Sequence, residues 1–490
     1  MIEFDKLWDH QKRAVALAMQ QRDFALFHDM GAGKTGTMIN ILRRRYGEAG
    51  RLRRTLIVSP LITLDNWKKE FGQFSKVDPR HILILKGAGR KRAKDFMKFV
   101  SDPVTERLVF NRVVIMNYES VQMKELYDAI KAWNPEIIVF DEAHRLRNHQ
   151  SKRARACANL ADIAKHRYLL TGSPILNSAM DVFFQYRCLD LGDTFGQNFY
   201  AFRNRYFEDR NSGWASKPGY FPDFEARPEA FADLHARMYK DGRGLARAHR
   251  VMKKDCLDLP PLVKTKIEVE LSPDQRKMYK EMSDEFLTFV EREKQTGTPL
   301  AVVAQLAITK ALRLQQIVTG FCKAEDGVEY EIAGGNPRLE ALEELLEDLA
   351  PNGKVIVWAC FKQNYQQIAR VCDKLKLPYR MIHGEIRNAD KQIAMEEFRK
   401  DESIKVMIAN QGAAGIGVNL VEAPYSVFFS RNFSLEQDTQ AEARNYRGGS
   451  EMHTSVTRYD IVARNSIDEL IADALAGKQK IADTILDWKI

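Results

Sequence analysis

The 490 residues exceed what one hydrophobic core usually supports, so at least two domains are expected. With 45% hydrophobic and 29% charged residues the composition is that of a soluble globular protein; no apolar run approaches the ~18 residues of a membrane span, and the acid-bearing start lacks a signal-peptide core, so the chain reads as cytosolic. A formal charge of +9 favours a polyanionic partner, while six cysteines without a CxxC pair argue against a zinc module or a disulfide framework.

In chain order, the first informative stretch is Phe24 to Thr35, FALFHDMGAGKT. A short apolar strand, Phe24 to Phe27, runs into Gly31, Gly33, Lys34 and Thr35, and a helical pattern follows through Met38, Ile39, Ile41 and Leu42. Strand, glycine-rich turn and helix form the context of a phosphate loop. The glycines let backbone N–H groups close on phosphate oxygens, Lys34 reaches the outer phosphates, and the Thr35 hydroxyl can ligate Mg²⁺. His28 stands where the full GxxxxGKT pattern has its first glycine. Basic runs at Arg43 to Arg45, Arg51 to Arg54, Arg90 to Lys94 and Lys152 to Arg155 are of a kind that most often meets nucleic acid.

Buried strands are predicted at Leu56 to Val58, Val113 to Met116, Ile137 to Phe140 and Tyr168 to Leu170. The third ends in Asp141 and Glu142. In parallel sheets ligands sit at the carboxyl ends of strands, so this pair suits a metal-nucleotide: Asp141 for Mg²⁺, Glu142 to deprotonate an attacking water. Standing alone it would equally be a solvated dipeptide, and the phosphate loop upstream tips the balance. His144 and His149 lack partners for a metal site.

From about residue 176 to 350 the pattern is mainly helical, as in Gln275 to Glu293, Ala301 to Ile317 and Arg338 to Leu349, with strand character near Thr265 to Leu271 and a linker at Pro260 and Pro261. A second strand series follows at Val355 to Trp358, Tyr379 to Ile382, Val406 to Ile408, Val427 to Phe429 and Tyr459 to Val462. Two parallel-sheet α/β halves are expected. The glycine run in Asn410 to Leu420, NQGAAGIGVNL, suits close backbone approach to a ligand or a plain turn. Gln440, Arg444 and Arg447 have helical spacing and could share one face, either as an arginine clamp on a γ-phosphate or as a basic solvated helix.

Together these segments resemble the Swi/Snf-type branch of the superfamily-two helicase-like ATPases, almost end to end. LWDHQ at Leu7 to Gln11 is similar to the adenine-reading Gln motif; DMGAGKT, LIVSPLITLDNWKKEF, DEAHRLRN and LTGSPILN match motifs of the first lobe. The link from Lys253 to Tyr279 is similar to the lobe connection of this branch, and Lys354 to Gln363, NQGAAGIGVNL, QAEARNYRGGS and Ser455 to Leu470 match its second lobe. Departures are Tyr446 where His is common, and Asn410, Gln411 and Gly412 where Ser, Thr and a basic residue are usual.

The resemblance implies an α/β fold of two RecA-like parallel-sheet lobes with helical insertions. Lobe one would be 1–258, with an insertion at about 176–250, and lobe two 259–490, with a helical segment at about 272–350. It implies ATP and Mg²⁺ in the cleft between them. Gln11 would read adenine; Met30, Gly31, Ala32, Gly33, Lys34 and Thr35 would hold phosphates, Thr35 and Asp141 the metal, with Gly417 and Gln440 also on the nucleotide. Glu142 would activate water, and Arg444 and Arg447 would complete catalysis with Lys34 and Asp141. The expected activity is ATP-driven translocation on double-stranded DNA through sequence-independent backbone contacts, by a monomer in a nucleoid-associated or viral or prokaryotic setting. A strand-separating helicase, the motor of a restriction, defence or protein-displacement complex, and a non-enzymatic ATP-switched scaffold remain alternatives.

Overall fold

The computed structural model describes residues 4–87, 89–101, 112–214, 222–256, 258–296, 300–323, 328–412 and 419–486. The chain forms two compact units, one of Met1–Glu208, Ala226–Asp258 and Lys480–Ile490, the other of Asp209–Glu225 and Leu259–Gln479. The first half contributes β1 (Asp23–His28), β2 (Thr55–Ser59), β3 (Ile82–Ile84), β4 (Val113–Asn117), β5 (Ile137–Asp141) and β6 (His166–Leu170). Two short strands follow, β7 (Phe207–Asp209) and β8 (Phe224–Ala226), then β9 (Ala248–Val251) and β10 (Leu262–Val269). The remainder are β11 (Phe321–Lys323), β12 (Glu329–Glu331), β13 (Val355–Ala359), β14 (Tyr379–Ile382), β15 (Val406–Asn410), β16 (Tyr425–Phe428) and β17 (Val456–Ala463).

The sheet of the first unit runs β3-β4-β2-β5-β6-β1-β9 and that of the second β10-β17-β16-β13-β15-β14, every neighbouring pair parallel. These are the two parallel-sheet α/β halves expected. β2, β4, β5, β6 and β13 are buried at every residue, as strands covered by helices on both faces must be. In the first unit, Phe24 and Leu26 of β1 pack with Met38, Ile39 and Leu42 of the helix Lys34–Ala49, and with Ile57, Ile115, Val139, Trp67 and Phe71. In the second, Val355 and Val357 meet Leu342, Leu346, Ile368 and Val427. Among the described residues no helix is long and apolar enough to cross a membrane.

The structure adds elements that periodicity does not reveal. β3 has three residues, too few to show alternation. β9, which pairs with β1, reads Ala-His-Arg-Val, polar at its centre because it is an edge strand. Among its described residues, the stretch expected to be mainly helical does hold helices, Asp181–Asp190, Phe199–Tyr206, Ala230–Tyr239, Pro273–Thr296 and Leu300–Val318, and five short strands besides β10.

The basic run Arg51 to Arg54 has a structural role that its composition conceals. Arg51 grips Glu136 through both nitrogens at 2.9 Å, and the Arg54 backbone N–H donates to the same carboxylate at 3.2 Å. Arg45 is buried, donating to the Tyr168 hydroxyl at 2.9 Å and to the Ala18 carbonyl at 2.9 Å. Glu136 and Arg54 lie just ahead of β5 and β2, at the amino edge of the sheet, away from the carboxyl edge where Asp141 sits. Part of this run's charge is therefore neutralised by Glu136 within the fold.

A buried pair ties β6 to β1. Arg167, 2% exposed, donates to the Leu189 carbonyl at 2.8 Å and bridges Asp23 at 2.7 Å. Burial raises the Asp23 carboxyl above its ordinary value, and Arg167 pulls against that rise. Arg167→Met should therefore strand a buried carboxylate and cost about 3–5 kcal/mol, read as faster hydrogen exchange of β1 and β6 amides; unchanged exchange would show that the pair contributes nothing.

Candidate functional site

At the carboxyl edge of the first unit's sheet, β1 ends in the segment 29–35, and parallel register sets Ser59 at the end of β2 beside Asp141 at the end of β5, with Thr171 just past β6. The loop after β1 takes left-handed backbone at Gly31, φ +90°, and Gly33, φ +74°. A side chain at Gly33 would also collide with Gln11, since a Cβ there would lie 2.4 Å from Nε2. Gly33 then caps the helix Lys34–Ala49, which directs its N-terminal dipole at the loop.

Gln11 is buried and braces that loop. Its Oε1 accepts the Trp8 N–H at 3.0 Å, satisfying the backbone donor at the N-cap of the helix Asp9–Met19, and its Nε2 donates to the Gly33 carbonyl at 3.2 Å. His10 adds a contact of 3.0 Å to the Ala32 carbonyl, and Ala32 is fully buried while Met30 and Thr35 are partly so. Lys34 donates from Nζ to the carbonyls of His28, 2.9 Å, and Asp29, 3.4 Å.

Asp141 is held by groups that motif spacing does not single out. Oδ2 accepts from the Trp67 indole at 2.9 Å and the Ser59 hydroxyl at 2.7 Å, and Oδ1 accepts the Glu142 N–H at 3.0 Å. The Tyr118 hydroxyl donates to the Asp141 carbonyl at 2.8 Å. Burial, then the neighbouring Glu142 charge, raise the Asp141 carboxyl, while Ser59, Trp67 and the Lys34 charge lower it. Glu142 adopts a left-handed φ of +51°, and its carboxylate lies 3.4 Å from His144 Nδ1, which also meets the Thr171 hydroxyl at 3.2 Å. Thr35 and Asp141 fit Mg²⁺: a hydroxyl and a carboxylate are hard oxygen donors, and a cation would restore the ionised form that burial and Glu142 disfavour.

The remaining candidates belong to the second unit, apart from Gly417, which lies outside the described residues. Gln440 sits on the helix Leu435–Glu442, whose N-cap Ser434 accepts from the Gln437 N–H. Arg444 and Arg447 are not on that helix. It stops at Ala443, the chain turns, and Gly449 at φ +106° completes the break, so the expected shared helical face is replaced by a turn. The turn is pinned by the Leu420 N–H on the Arg444 carbonyl at 2.9 Å and by Asn445 Nδ2 on the Ala423 carbonyl at 3.1 Å.

Beneath the helix lies a balanced set of six charges. Arg458, 2% exposed, bridges Asp438 at 3.0 Å, Glu442 at 2.9 Å and Asp460 at 2.9 Å, its guanidinium 3.7 Å from the centre of the Phe428 ring. Arg431 meets Asp438 at 2.8 Å, and Lys264 of β10 meets Glu442 at 2.6 Å. Burial raises both helix carboxyls, and the surrounding cations outweigh it, so Asp438 and Glu442 end below their ordinary values. The i,i+4 acids on the helix and the Arg-x-Asp of β17 were the sequence signal for this network.

Residues 10–319 match the family described as the SNF2-related domain, and residues 337–449 match the helicase conserved C-terminal domain. Among curated relatives, the chain is 24% identical to chromodomain-helicase-DNA-binding protein 1-like of Danio rerio, over 96% of this chain and 43% of that protein. It is 27% identical to the SWI/SNF-related matrix-associated actin-dependent regulator of chromatin subfamily A-like protein 1 homolog of Caenorhabditis elegans, over 95% of this chain and 60% of the other. The chain thus spans under two thirds of either relative. A solved structure, the SWI2/SNF2 ATPase core of Sulfolobus solfataricus in complex with dsDNA, aligns over 99% of this chain and 93% of its own with 21% identity and a TM-score of 0.41.

The Trp67 indole donates to a buried carboxyl oxygen, and leaving such an acceptor unsatisfied costs about 1–3 kcal/mol. Trp67→Phe keeps the ring and removes the donor, so stability should fall by that amount. Denaturant melts of the two proteins measure it; equal midpoints would assign Trp67 to packing alone.

Proposed function

The chain belongs to the SNF2-related domain family, and we propose on that premise that it is a DNA-stimulated ATPase that moves along double-stranded DNA. The observation that carries the reading lies within the first unit: a glycine loop capping a helix, a lysine at its start, and the buried Asp141 with the half-buried Glu142 meet at one sheet edge.

In this reading Gly31, Gly33 and the helix N-terminus receive the phosphates of ATP, and Lys34 leaves the His28 and Asp29 carbonyls for the outer phosphates. Gln11, already bonded to Gly33, sets the loop beside the adenine. Mg²⁺, when bound, neutralises phosphate charge, with Thr35 and Asp141 as its protein ligands. Glu142 orients a water and takes its proton as the oxygen attacks the γ-phosphorus; the bond to the β–γ bridging oxygen breaks, giving ADP and phosphate. Arg444 and Arg447 stabilise charge on the transferred group, and Gln440 and Gly417 contact the nucleotide. The family, the DNA-binding helicase names of relatives and the formal charge of +9 support duplex DNA as the track, gripped through its phosphates.

Glu142→Gln should retain ATP binding and abolish turnover, Lys34→Ala should weaken binding itself, and Arg447→Ala should slow turnover by up to about 10³ to 10⁵-fold with little loss of nucleotide affinity. Equilibrium binding of a fluorescent ATP analogue beside phosphate release separates the three. Wild-type turnover in Glu142→Gln would refute the assignment of the base.

Duplex DNA should raise the ATPase rate more than single strands or RNA, and the DNA affinity read from that stimulation should fall with salt, log K against log salt having a slope of about −0.9 per phosphate contact. The motor should strip a third strand from a triplex with ATP yet leave a forked duplex paired. Fork unwinding without triplex displacement would instead mark a strand-separating helicase.

A further inference from the structure

Beside the phosphate loop lies a file of three histidines that the chemistry above does not use. β9 pairs with β1 so that Leu26 is opposite His249 and His28 opposite Val251. His28, fully buried, meets His249 through Nε2 and Nδ1 at 3.0 Å, the two rings lying edge to face with centroids 5.2 Å apart. Among the described residues the His28 Nδ1 has no hydrogen-bond partner, so His249 is the polar anchor of this ring. His10 packs edge-on against His28, centroids 5.8 Å apart, and reaches the Ala32 carbonyl.

Burial, chiefly, pushes the His28 imidazole down to about 2 and that of His249 to about 4. Both are neutral near pH 7, so one N–H donates to one ring lone pair. The consequence lies in the backbone of the same residue, because the His28 carbonyl receives the Lys34 ammonium. The next residue is fixed from the same strand: the Asp29 N–H donates to the Val251 carbonyl at 2.9 Å, and Asp29 Oδ2 accepts the Lys253 N–H at 3.1 Å.

We infer that His249 is a positioning residue for nucleotide binding: by holding the His28 ring from edge strand β9, it pre-sets the peptide that opens the phosphate loop and carries Lys34. This rests on the ATP reading of the loop. A loop ordered in advance loses less entropy when phosphates arrive, so loosening the anchor should weaken binding while leaving the chemical groups intact.

His249→Leu fills the space of the ring without its nitrogens, whereas His249→Asn keeps a polar atom near the place of Nδ1. With the full chain and a fluorescent ADP analogue, His249→Leu should bind about tenfold more weakly, the equivalent of one buried hydrogen bond. His249→Asn should recover most of that loss. KM for ATP should rise with it, and kcat at saturating ATP should fall far less. His28→Asn, whose side chain stops short of the Nε2 position and so breaks the same contact from the other side, should repeat the loss and serves if His249→Leu does not fold. Equal affinity in wild type and His249→Leu, or failure of His249→Asn to recover any of the loss, would overturn the inference while the ATPase reading stands. Absence of nucleotide binding by the wild type would instead defeat that reading and this one with it.

Discussion

Burying the Asp141 carboxylate removes it from water at a cost that only donors or cations offset, and the parallel register of the first sheet brings the donors to it. β2 beside β5 delivers the Ser59 hydroxyl, the helix Leu64–Phe74 that follows β2 delivers the Trp67 indole, and Tyr118 after β4 fixes the carbonyl behind. Ser59 and Trp67 come from the end of β2 and the connection after it, and Tyr118 from the one after β4, so two crossovers must be in place before Asp141 is satisfied. The glycine loop after β1 reaches the same edge because β1 lies next to β6, which lies next to β5. Close packing at that edge is visible at Gly172, where a Cβ would lie 3.1 Å from the His28 carbonyl oxygen.

The second unit solves a different electrostatic problem. Its functional candidates are cations on a turn, and the helix leading into them is anchored by anions facing inward. Arg458 beneath Asp438 and Glu442 bridges both acids and also Asp460 of its own strand, which fixes the rotation of the helix Leu435–Glu442 about its axis. A neutral apolar seam could stabilise as well, but it would tolerate sliding that matched ionic partners resist.

Much of this was legible in the chain because buried parallel strands announce themselves as apolar runs, and phosphate loops need glycine at fixed places. Phe24 to Phe27, Ile137 to Phe140 and Val355 to Trp358 fall within strands, and Gly31 and Gly33 have the positive φ that their roles demand. What escaped was written in tertiary partners. β9 carries His249 and Arg250 at its centre, polar residues that resemble a loop until β1 is set beside them. The spacing of Gln440, Arg444 and Arg447 satisfies a helix, but Gly448 and Gly449 follow and the chain turns instead. Arg51 to Arg54 looked like free positive charge because Glu136 is eighty-odd residues away in sequence, and only the β2–β5 pairing brings it near.

The backbone at Glu142 has a consequence for how this chain can change over time. A φ of +51° suits glycine, and after it asparagine, better than glutamate, so the side chain at 142 stands against the preference of its own main chain. Under the proposed role of Glu142 as the base, replacement by Gly or Asn would relax that strain while removing turnover. A descendant carrying such a replacement would keep its fold and its glycine loop, and the missing acid at this position would be its mark.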